Sequence, residues 1–245
     1  MQLDKPLLII KTGNTIPTLL AQGIDFEHWF AAGCGLSLQQ CHVVSLFLGE
    51  PLPDLEEIAG IIVTGSPAYV TDLEPWNLLG ADYIRRAHLQ SIPILGICYG
   101  HQLLAWAFGG KVDFNAAGRQ IGTVVASLST AAAADRLLSG LPGSLLVQVS
   151  HQQSVTQRPA NAILLASRDA DPNHGFRLGA TTWGLQFHPE FSAAITRAYI
   201  EERKTTLERE GLDTGALLAG LKNTSEAAGI LERFAALMAE SKPAL

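Results

Sequence analysis

Cys98 is the residue whose sequence surroundings best fit covalent chemistry. It lies between two glycines in the segment Gly96-Ile97-Cys98-Tyr99-Gly100. The apolar run 94–97 predicts a buried strand, and residues 102–108 predict a helix packed on a sheet. Small neighbours allow the strained strand-to-helix turn that exposes a nucleophile, and the following helix N-terminus favours a thiolate. The alternative is that Cys98 is a small buried apolar residue, as most free cysteines are.

His188 and Glu190 form the second candidate group. They follow a predicted strand in the segment Gln186-Phe187-His188-Pro189-Glu190. Residues two apart in an extended chain point the same way, so the imidazole and the carboxylate lie on one side. A carboxylate beside an imidazole fixes its tautomer and stabilises its cation. With Cys98, this pattern predicts a Cys-His-acid triad.

Acyl transfer by such a triad also needs two donors for the developing oxyanion. The backbone N–H of Tyr99 follows the nucleophile directly. A Gly65-Ser66-Pro67 turn follows the apolar strand predicted over residues 60–63. Because ligands bind at the carboxyl ends of strands in α/β sheets, we expect the backbone N–H of Gly65 to be the second donor.

The remaining pattern predicts elements that would position these groups. We expect strands over residues 7–11, 41–47, 60–63 and 94–97, with helices between them, one of which is capped by Asp25 and runs to Ala32. After Gly109-Gly110 we expect strands over 111–114, 122–128 and 145–149. A meander over 163–187 would have turns at 171–173 and 178–179. Helices are predicted at 131–138, at 191–209 and from Asn223 onward.

The alternation of strands and helices predicts an α/β fold: one domain over residues 1–245, with a doubly wound, mostly parallel sheet, flanking helices and a small β-rich insertion. Apolar residues make up 47% of the 245 residues and charged ones 16%, so a large core is expected. The net charge of −6 and the lack of a basic cluster argue against nucleic acid as a partner.

Three cysteines, Cys34, Cys41 and Cys98, make an odd count without metal-ligand spacing. We therefore expect neither a disulfide framework nor a metal site, and a cytoplasmic location. The apolar run near the N-terminus is too short for a signal peptide, and no segment is long enough to cross a bilayer, so no membrane partner is expected.

Segments 96–102 and 184–190 together resemble the class I (triad) glutamine amidotransferases, in particular the glutaminase domain of GMP synthase and its stand-alone relatives. The resemblance runs from about Leu7 to Phe191, which leaves 192–245 as a helical C-terminal extension. It implies a flavodoxin-like amidotransferase architecture without a cofactor. It also implies that glutamine is hydrolysed through a γ-glutamyl thioester on Cys98, with His188 as base and Glu190 as its partner.

The resemblance extends to residues that would bind the substrate. Gln102 matches a glutamine that helps bind the amino acid. Ser150, His151 and Gln152 match a segment of the same pocket. Here Gln153 replaces an acid found in relatives, which puts recognition of the substrate α-amino group in question. Without the resemblance, Gln102 is an ordinary helix-start residue and His151 a satisfied loop histidine.

The resemblance leaves several functions open. The chain has neither a Gly-x-x-x-x-Gly-Lys-Ser/Thr phosphate loop nor the Ser-Gly-Gly-x-Asp-Ser loop of ATP pyrophosphatases, so the expected partner is a separate ammonia-accepting synthetase. The main alternative is a γ-glutamyl peptidase acting on γ-glutamyl amides or peptides. A third hypothesis is a non-catalytic binding or sensor protein like DJ-1/PfpI. A fourth is an enzyme that stays silent until a partner reorients the peptide near Gly65.

Overall fold

Nine strands of the described chain form one mixed sheet, with helices on both sides. The computed structural model describes residues 3–240, so residues 1–2 and 241–245 of the predicted domain lie outside the described residues. The strands of these described residues are β1 (Leu7–Lys11), β2 (Cys41–Ser45), β3 (Gly60–Val63), β4 (Ile94–Ile97), β5 (Lys111–Phe114), β6 (Gln120–Leu128), β7 (Ser144–His151), β8 (Gln153–Gln157), β9 (Ile163–Arg168), β10 (Asp171–Leu178) and β11 (Thr182–Leu185).

The helices of the same residues alternate with the strands in the first half and gather at the C-terminal end. They are α1 (Pro17–Leu20), α2 (Phe26–Gly33), α3 (Pro75–Leu89), α4 (Tyr99–Ala107), α5 (Ala193–Glu202), α6 (Lys204–Arg209), α7 (Thr214–Ala219) and α8 (Ser225–Glu240). None of the described helices is long and apolar enough to cross a membrane.

The strand order is β2-β1-β3-β4-β11-β10-β9-β6-β7. The first five strands in this order pair in parallel, and the remaining pairs are antiparallel. Seven of the nine strands consequently run in one direction. The sheet confirms the predicted α/β fold with a mostly parallel sheet and flanking helices.

The parallel half is buried on both faces. Every residue of β1, β3, β4 and β11 is buried, and apolar clusters cover each side of the sheet. Full burial of one aliphatic side chain contributes roughly 1.5–3 kcal/mol, so these short apolar runs form strands at the centre of the core. The pairing of Leu185 with Ile97 places the carboxyl ends of β4 and β11 side by side.

The antiparallel half extends the same sheet through β10, β9, β6 and β7, so most of the predicted β-rich region belongs to the main layer. A separate two-stranded sheet pairs β5 with β8, a strand that the sequence pattern missed. The turn predicted at residues 171–173 is wrong, because this segment begins β10. Asp171 pairs with Arg168 across the hairpin, and the Asn173 side chain donates to the Val155 carbonyl.

Helix ends follow local hydrogen bonds. Asp25 caps α2 as predicted, and its carboxylate accepts from the Phe26 N–H at 2.8 Å. The helix predicted at residues 131–138 is a 3-10 turn, Thr130–Ala134. It ends there because the Asp135 carboxylate accepts from the backbone N–H groups of Leu137 and Leu138.

The C-terminal helices pack on the same sheet. The helix predicted at residues 191–209 is two helices, α5 and α6, separated at Arg203. The predicted apolar stripe of the last helix is buried, and a Cβ on Gly60 would lie 2.5 Å from the Met238 sulfur. This close approach joins α8 to the parallel half of the sheet.

Candidate active site

Cys98 occupies a sharp turn between β4 and α4. Its backbone has φ 53° and ψ −101°, a left-handed conformation that is rare for a residue with a side chain. The two neighbouring glycines make the turn possible. A Cβ on Gly96 would lie 2.5 Å from the Gly100 carbonyl oxygen, and one on Gly100 would lie 2.3 Å from the Val63 carbonyl oxygen. The turn therefore has the strand-to-helix geometry that the sequence predicts.

Hydrogen bonds tie this turn to two other strands. The Cys98 N–H donates to the Leu185 carbonyl at 2.8 Å, so the turn is attached to the strand that leads to His188. The thiol sulfur lies 3.8 Å from the Ser150 carbonyl oxygen, and only 5% of Cys98 is exposed. Helix α4 begins at the next residue, so the positive end of its dipole lies beside Cys98.

His188 and Glu190 are paired as predicted. The imidazole Nδ1 lies 2.7 Å from Glu190 Oε1, and both side chains are buried. The Phe191 ring stacks on the imidazole with centroids 4.0 Å apart. The carboxylate accepts the Nδ1 proton. The other ring nitrogen, Nε2, is buried without a hydrogen bond of normal geometry to any described group.

The electrostatics of the pair favour the imidazolium form. Burial alone lowers the pKa of His188, but the charges of Glu190 and Cys98, with the close approach of the Cys98 sulfur and the hydrogen bond that the ring donates to Glu190, raise the pKa to about 10. An imidazolium can donate a proton to a leaving group, so the pair is prepared for acid catalysis.

Gly65 lies between the sulfur and the imidazole. A methyl group built on it would be 3.1 Å from His188 Cε1 and 3.7 Å from Cys98 Cβ. The Thr64 carbonyl accepts from the Gly100 N–H at 3.1 Å, which directs the N–H of the same trans peptide, that of Gly65, the opposite way. No described residue accepts a hydrogen bond from this N–H.

The serine in this turn has a structural role. The Ser66 hydroxyl donates to the Thr12 carbonyl at 2.5 Å and accepts from the Ala68 N–H at 3.1 Å. The turn is consequently attached to the loop after β1. Neither of these hydrogen bonds uses the backbone N–H of Gly65, which stays free to serve as a donor.

The residues predicted to bind substrate lie around one small cavity of about 220 Å³. Gln102 Nε2 donates to the Gln153 carbonyl at 2.7 Å and to Gln186 Oε1 at 3.1 Å. The Gln152 side chain bonds the Tyr69 hydroxyl. No Asp or Glu of the described chain lines this cavity. The lining also includes Cys98, Ser150, His151, Gln152 and Gln153.

A larger cavity of about 740 Å³ opens on the other side of Cys98. His188 lines this cavity and not the smaller one. Its wall contains the apolar residues Ile16, Phe26, Phe47 and Trp76 together with polar and charged ones, among them Glu74 and Glu202. The Cys98 sulfur therefore borders both cavities, and the His188 imidazole faces the larger one.

Arg203, which the sequence pattern placed only within a charged helix, lines both cavities. Its Nη1 lies 3.1 Å from the Ser150 hydroxyl, and its guanidinium lies over the Tyr199 ring at 4.8 Å. Arg119, beside it, is already paired with Glu210 at 2.7 Å. No described carboxylate forms an ion pair with Arg203. An i, i+4 pair of tyrosine and arginine was the available sequence signal, but it is also common on solvated helix faces.

Curated proteins similar to this chain include GMP synthases. The chain is 34% identical over 181 residues to the glutamine-hydrolysing GMP synthase of Porphyromonas gingivalis, which covers 73% of this chain and 32% of that protein. It is 33% identical over 177 residues to the enzyme of Aeropyrum pernix, with 72% and 30% covered. The chain thus spans about a third of the length of these relatives.

Solved structures share the fold. A glutamine amidotransferase from Thermotoga maritima superposes with a TM-score of 0.75 at 23% identity, over 96% of this chain and 99% of that one. A glutamine amidotransferase from Methylobacillus flagellatus gives 0.69 at 24% identity, over 96% and 90%. The family model for the class I glutamine amidotransferase domain matches residues 32–206. The chain therefore belongs to the class I glutamine amidotransferases.

Proposed function

We propose that this chain hydrolyses the side-chain amide of glutamine through a γ-glutamyl thioester on Cys98 and releases ammonia for a separate synthetase. The observation that carries the proposal is the convergence of three groups at one sheet edge. Cys98 lies after β4, the His188–Glu190 pair lies after β11, and the backbone of Gly65 lies between them after β3.

The first half of the reaction needs a nucleophile and an acid. The Cys98 thiol gives its proton to His188, the sulfur attacks the amide carbon of glutamine as a thiolate, and the C–N bond breaks as the imidazolium passes that proton to the leaving nitrogen. Ammonia leaves and the acyl group remains on sulfur. In the second half, His188 removes a proton from water, the oxygen attacks the thioester, and the C–S bond breaks to release glutamate.

Both half-reactions pass through an oxyanion. The N–H of Gly65 has no described acceptor, and Tyr99 is the first residue of α4. We assign these two N–H groups as the donors, each of which contributes about 2.7–4 kcal/mol in comparable sites. Because the Thr64 carbonyl is already bonded to Gly100, this assignment requires no peptide reorientation and argues against an enzyme that waits for a partner.

The smaller cavity is the proposed acyl site. Arg203 would bind the substrate α-carboxylate, since its guanidinium has no described ion-pair partner and reaches the cavity. Gln102, Ser150, His151 and Gln152 would form the wall around the glutamyl chain. The absence of a described acid in this wall predicts weak selection for the α-amino group.

A second candidate function is cleavage of γ-glutamyl amides or peptides. The larger cavity, which His188 faces, is far bigger than ammonia requires, and its mixed apolar and polar wall suits an organic leaving group. If the chain is a glutaminase, ammonia would instead leave through this cavity toward the partner. GMP synthases among the relatives contain additional chain, which fits a partner synthetase. We place either activity in the cytoplasm, because all three cysteines are unpaired.

A substrate comparison tests these proposals. Ammonia release from glutamine and amine release from γ-glutamyl peptides are measured with the full chain, alone and with a purified synthetase of the relatives' type. Faster turnover of glutamine supports the glutaminase, and faster turnover of γ-glutamyl peptides supports the second function. No turnover of either, with Cys98 also inert to a glutamine-like electrophile, would overturn both and favour a binding or sensor protein.

Substrate analogues test the acyl site. Glutaramate lacks the α-amino group of glutamine, and 4-aminobutanamide lacks the α-carboxylate. We expect a small loss of kcat/KM for the first and at least about a tenfold loss for the second. Arg203→Met should remove the preference between them by raising KM with little change in kcat. An unchanged preference in that variant would contradict the role of Arg203.

A further inference from the structure

A buried cluster of histidines and one carboxylate lies behind the proposed acyl site. His151 ends β7, and Asp171 and His174 lie on β10. His174 and Asp171 are fully buried, and His151 is 5% exposed. One nitrogen or oxygen from each of the three residues lies within 4.8 Å of those from the other two. The fold therefore brings together metal-binding side chains that are far apart in sequence.

The hydrogen bonds of the cluster leave electron pairs unused. His151 Nδ1 lies 2.9 Å from the Gln153 carbonyl, and His174 Nδ1 lies 3.0 Å from Asp171 Oδ2. The Gln153 carbonyl fixes the proton of His151 on Nδ1, so that its Nε2 carries a lone pair, whereas His174 and Asp171 share a proton between Nδ1 and Oδ2. Nε2 of both rings and Oδ1 of Asp171 are buried and have no hydrogen-bond partner in residues 3–240.

This pattern is the one found around bound metal ions. A ligating histidine almost always donates its other ring N–H to a carbonyl or a carboxylate, which orients the ring and raises its basicity. His151 has that outer partner in the Gln153 carbonyl, and His174 Nδ1 lies close enough to Asp171 for an ion to replace the proton that they share. A buried acceptor without a partner is destabilising, so His151 Nε2 and Asp171 Oδ1 together call for a cation or for ordered water.

The charge state of the rings is compatible with metal binding. Burial lowers the pKa of His151 to about 3, and it lowers the pKa of His174 as well, so both imidazoles are neutral near pH 7. His101, which lies beside the cluster, is also made neutral by burial, with a pKa of about 4. Although burial raises the pKa of Asp171, the hydrogen bond from His174 holds this pKa below its usual value, so the carboxylate is an anion that can bind a cation.

We propose that His151, Asp171 and His174 form a binding site for a divalent transition-metal ion, with Zn²⁺ as the ion that best suits two imidazoles and a carboxylate. Metal–ligand distances of about 2.0–2.2 Å in a tetrahedral site hold two ligand atoms about 3.3–3.6 Å apart, so ligand atoms up to 4.8 Å apart would close up by about an ångström. The inference is independent of the proposed function.

The position of the site indicates a structural effect. His151 directly follows Ser150, whose carbonyl faces the Cys98 thiol. The His174 carbonyl accepts from the Gln186 N–H at 2.9 Å, two residues before His188. An ion held by His151 and His174 would therefore join the segment beside the nucleophile to the strand beside the base, without contacting substrate.

Metal analysis of the full chain, purified without a histidine tag, tests the site. We expect one Zn²⁺ per chain after dialysis against Zn²⁺ and removal of loosely bound ion. We also expect the Tm of the metal-free protein to rise by about 5–10 °C at 100-fold excess over Kd. His174→Gln and Asp171→Asn should each abolish both effects, while His88→Gln, which changes a histidine outside the cluster, should retain them.

Cobalt separates this site from the active site, where a thiol and an imidazole could also hold an ion. Co²⁺ bound by His151, Asp171 and His174 would lack the thiolate-to-metal absorption band and would persist in Cys98→Ala. A thiolate band, loss of binding in Cys98→Ala, or binding retained in both cluster variants would overturn the proposal. Metal-free wild-type protein that neither binds Zn²⁺ nor gains stability would also overturn it and would leave water as the occupant of the cluster.

Discussion

The parallel and the antiparallel half of the sheet differ in the kind of contact that surrounds their functional side chains. In the parallel half, β3, β4 and β11 are entirely buried, and they approach the elbow so closely that Gly96 and Gly100 admit no Cβ. In the antiparallel half, β7 and β10 place His151, Asp171 and His174 inside the protein. Tight apolar packing positions the reactive groups, whereas buried polar groups form the interior next to the acyl site.

This difference in packing indicates which side chains must be positioned most exactly. Reacting atoms must be held to fractions of an ångström, and short buried strands with glycine contacts provide that rigidity. The pocket for a polar substrate needs hydrogen-bonding groups, which hairpins can carry at many positions. Variants in the two halves should accordingly fail in different ways.

The largest effect is expected from Cys98→Ala in the parallel half. Removing the nucleophile should lower the rate of amide hydrolysis by at least about 10⁴-fold, because no thioester can form. The Tm should change little, since alanine keeps the Cβ that the turn already accommodates. Steady-state ammonia release and a thermal melt measure the two quantities, and activity that persists in this variant would mean that the nucleophile is a different residue.

His188→Ala and Glu190→Gln separate the base from its partner. We expect about a 10³-fold loss of kcat for the first variant and about a 10- to 100-fold loss for the second, because the imidazole transfers the proton and the carboxylate only orients and charges it. Both are measured under saturating substrate. A larger loss for Glu190→Gln than for His188→Ala would contradict these roles.

A pair of glycine substitutions compares the packing of the two halves directly. Gly100→Ala places a Cβ 2.3 Å from the Val63 carbonyl oxygen, whereas Gly175→Ala in β10 places one 3.1 Å from the Ala166 Cβ. We expect the unfolding free energy in urea to fall by about 3 kcal/mol or more in the first variant and by about 1 kcal/mol in the second. Equal losses of unfolding free energy in the two variants would mean that the two halves are packed equally tightly.

The smallest effect concerns pH. The pKa of His188 is raised to about 10, so its contribution to stability is fully present below its unfolded value near 6.5 and is lost as the pH rises through 10. Glu190→Gln removes one cause of this shift. NMR titration should find a lower imidazole pKa in the variant. The difference in unfolding free energy from wild type should shrink from pH 6.5 toward pH 10. A constant difference would mean that Glu190 does not charge the ring.

Sequence patterns predicted the parallel half well because its signals are local. Short apolar runs gave β1, β3 and β4, and the glycines around Cys98 gave the elbow. The pairing of His188 with Glu190 followed from their two-residue spacing and from Pro189. Each of these inferences depends on neighbours in the chain, which are visible in one sequence.

The antiparallel half was predicted less well because distant contacts override local propensity there. Residues 171–173 have the composition of a turn, yet they form a strand because the Asn173 side chain bonds β8, a strand the pattern missed. The role of Arg203 was equally hidden, since only the folded chain brings it to Ser150. The cluster of His151, Asp171 and His174 likewise arises from strand register.

Arg203 and Tyr199 both come from the segment after residue 191, and both line the larger cavity. A protein truncated at the end of the predicted core would keep the sulfur, the imidazole and the carboxylate but would lose part of the wall around them. It would also uncover the apolar surface of the sheet on which α8 packs. Shortened versions of this chain should therefore keep all residues through α8. Residues of α5 and Arg203 complete the wall of the larger cavity, and α8 covers the sheet.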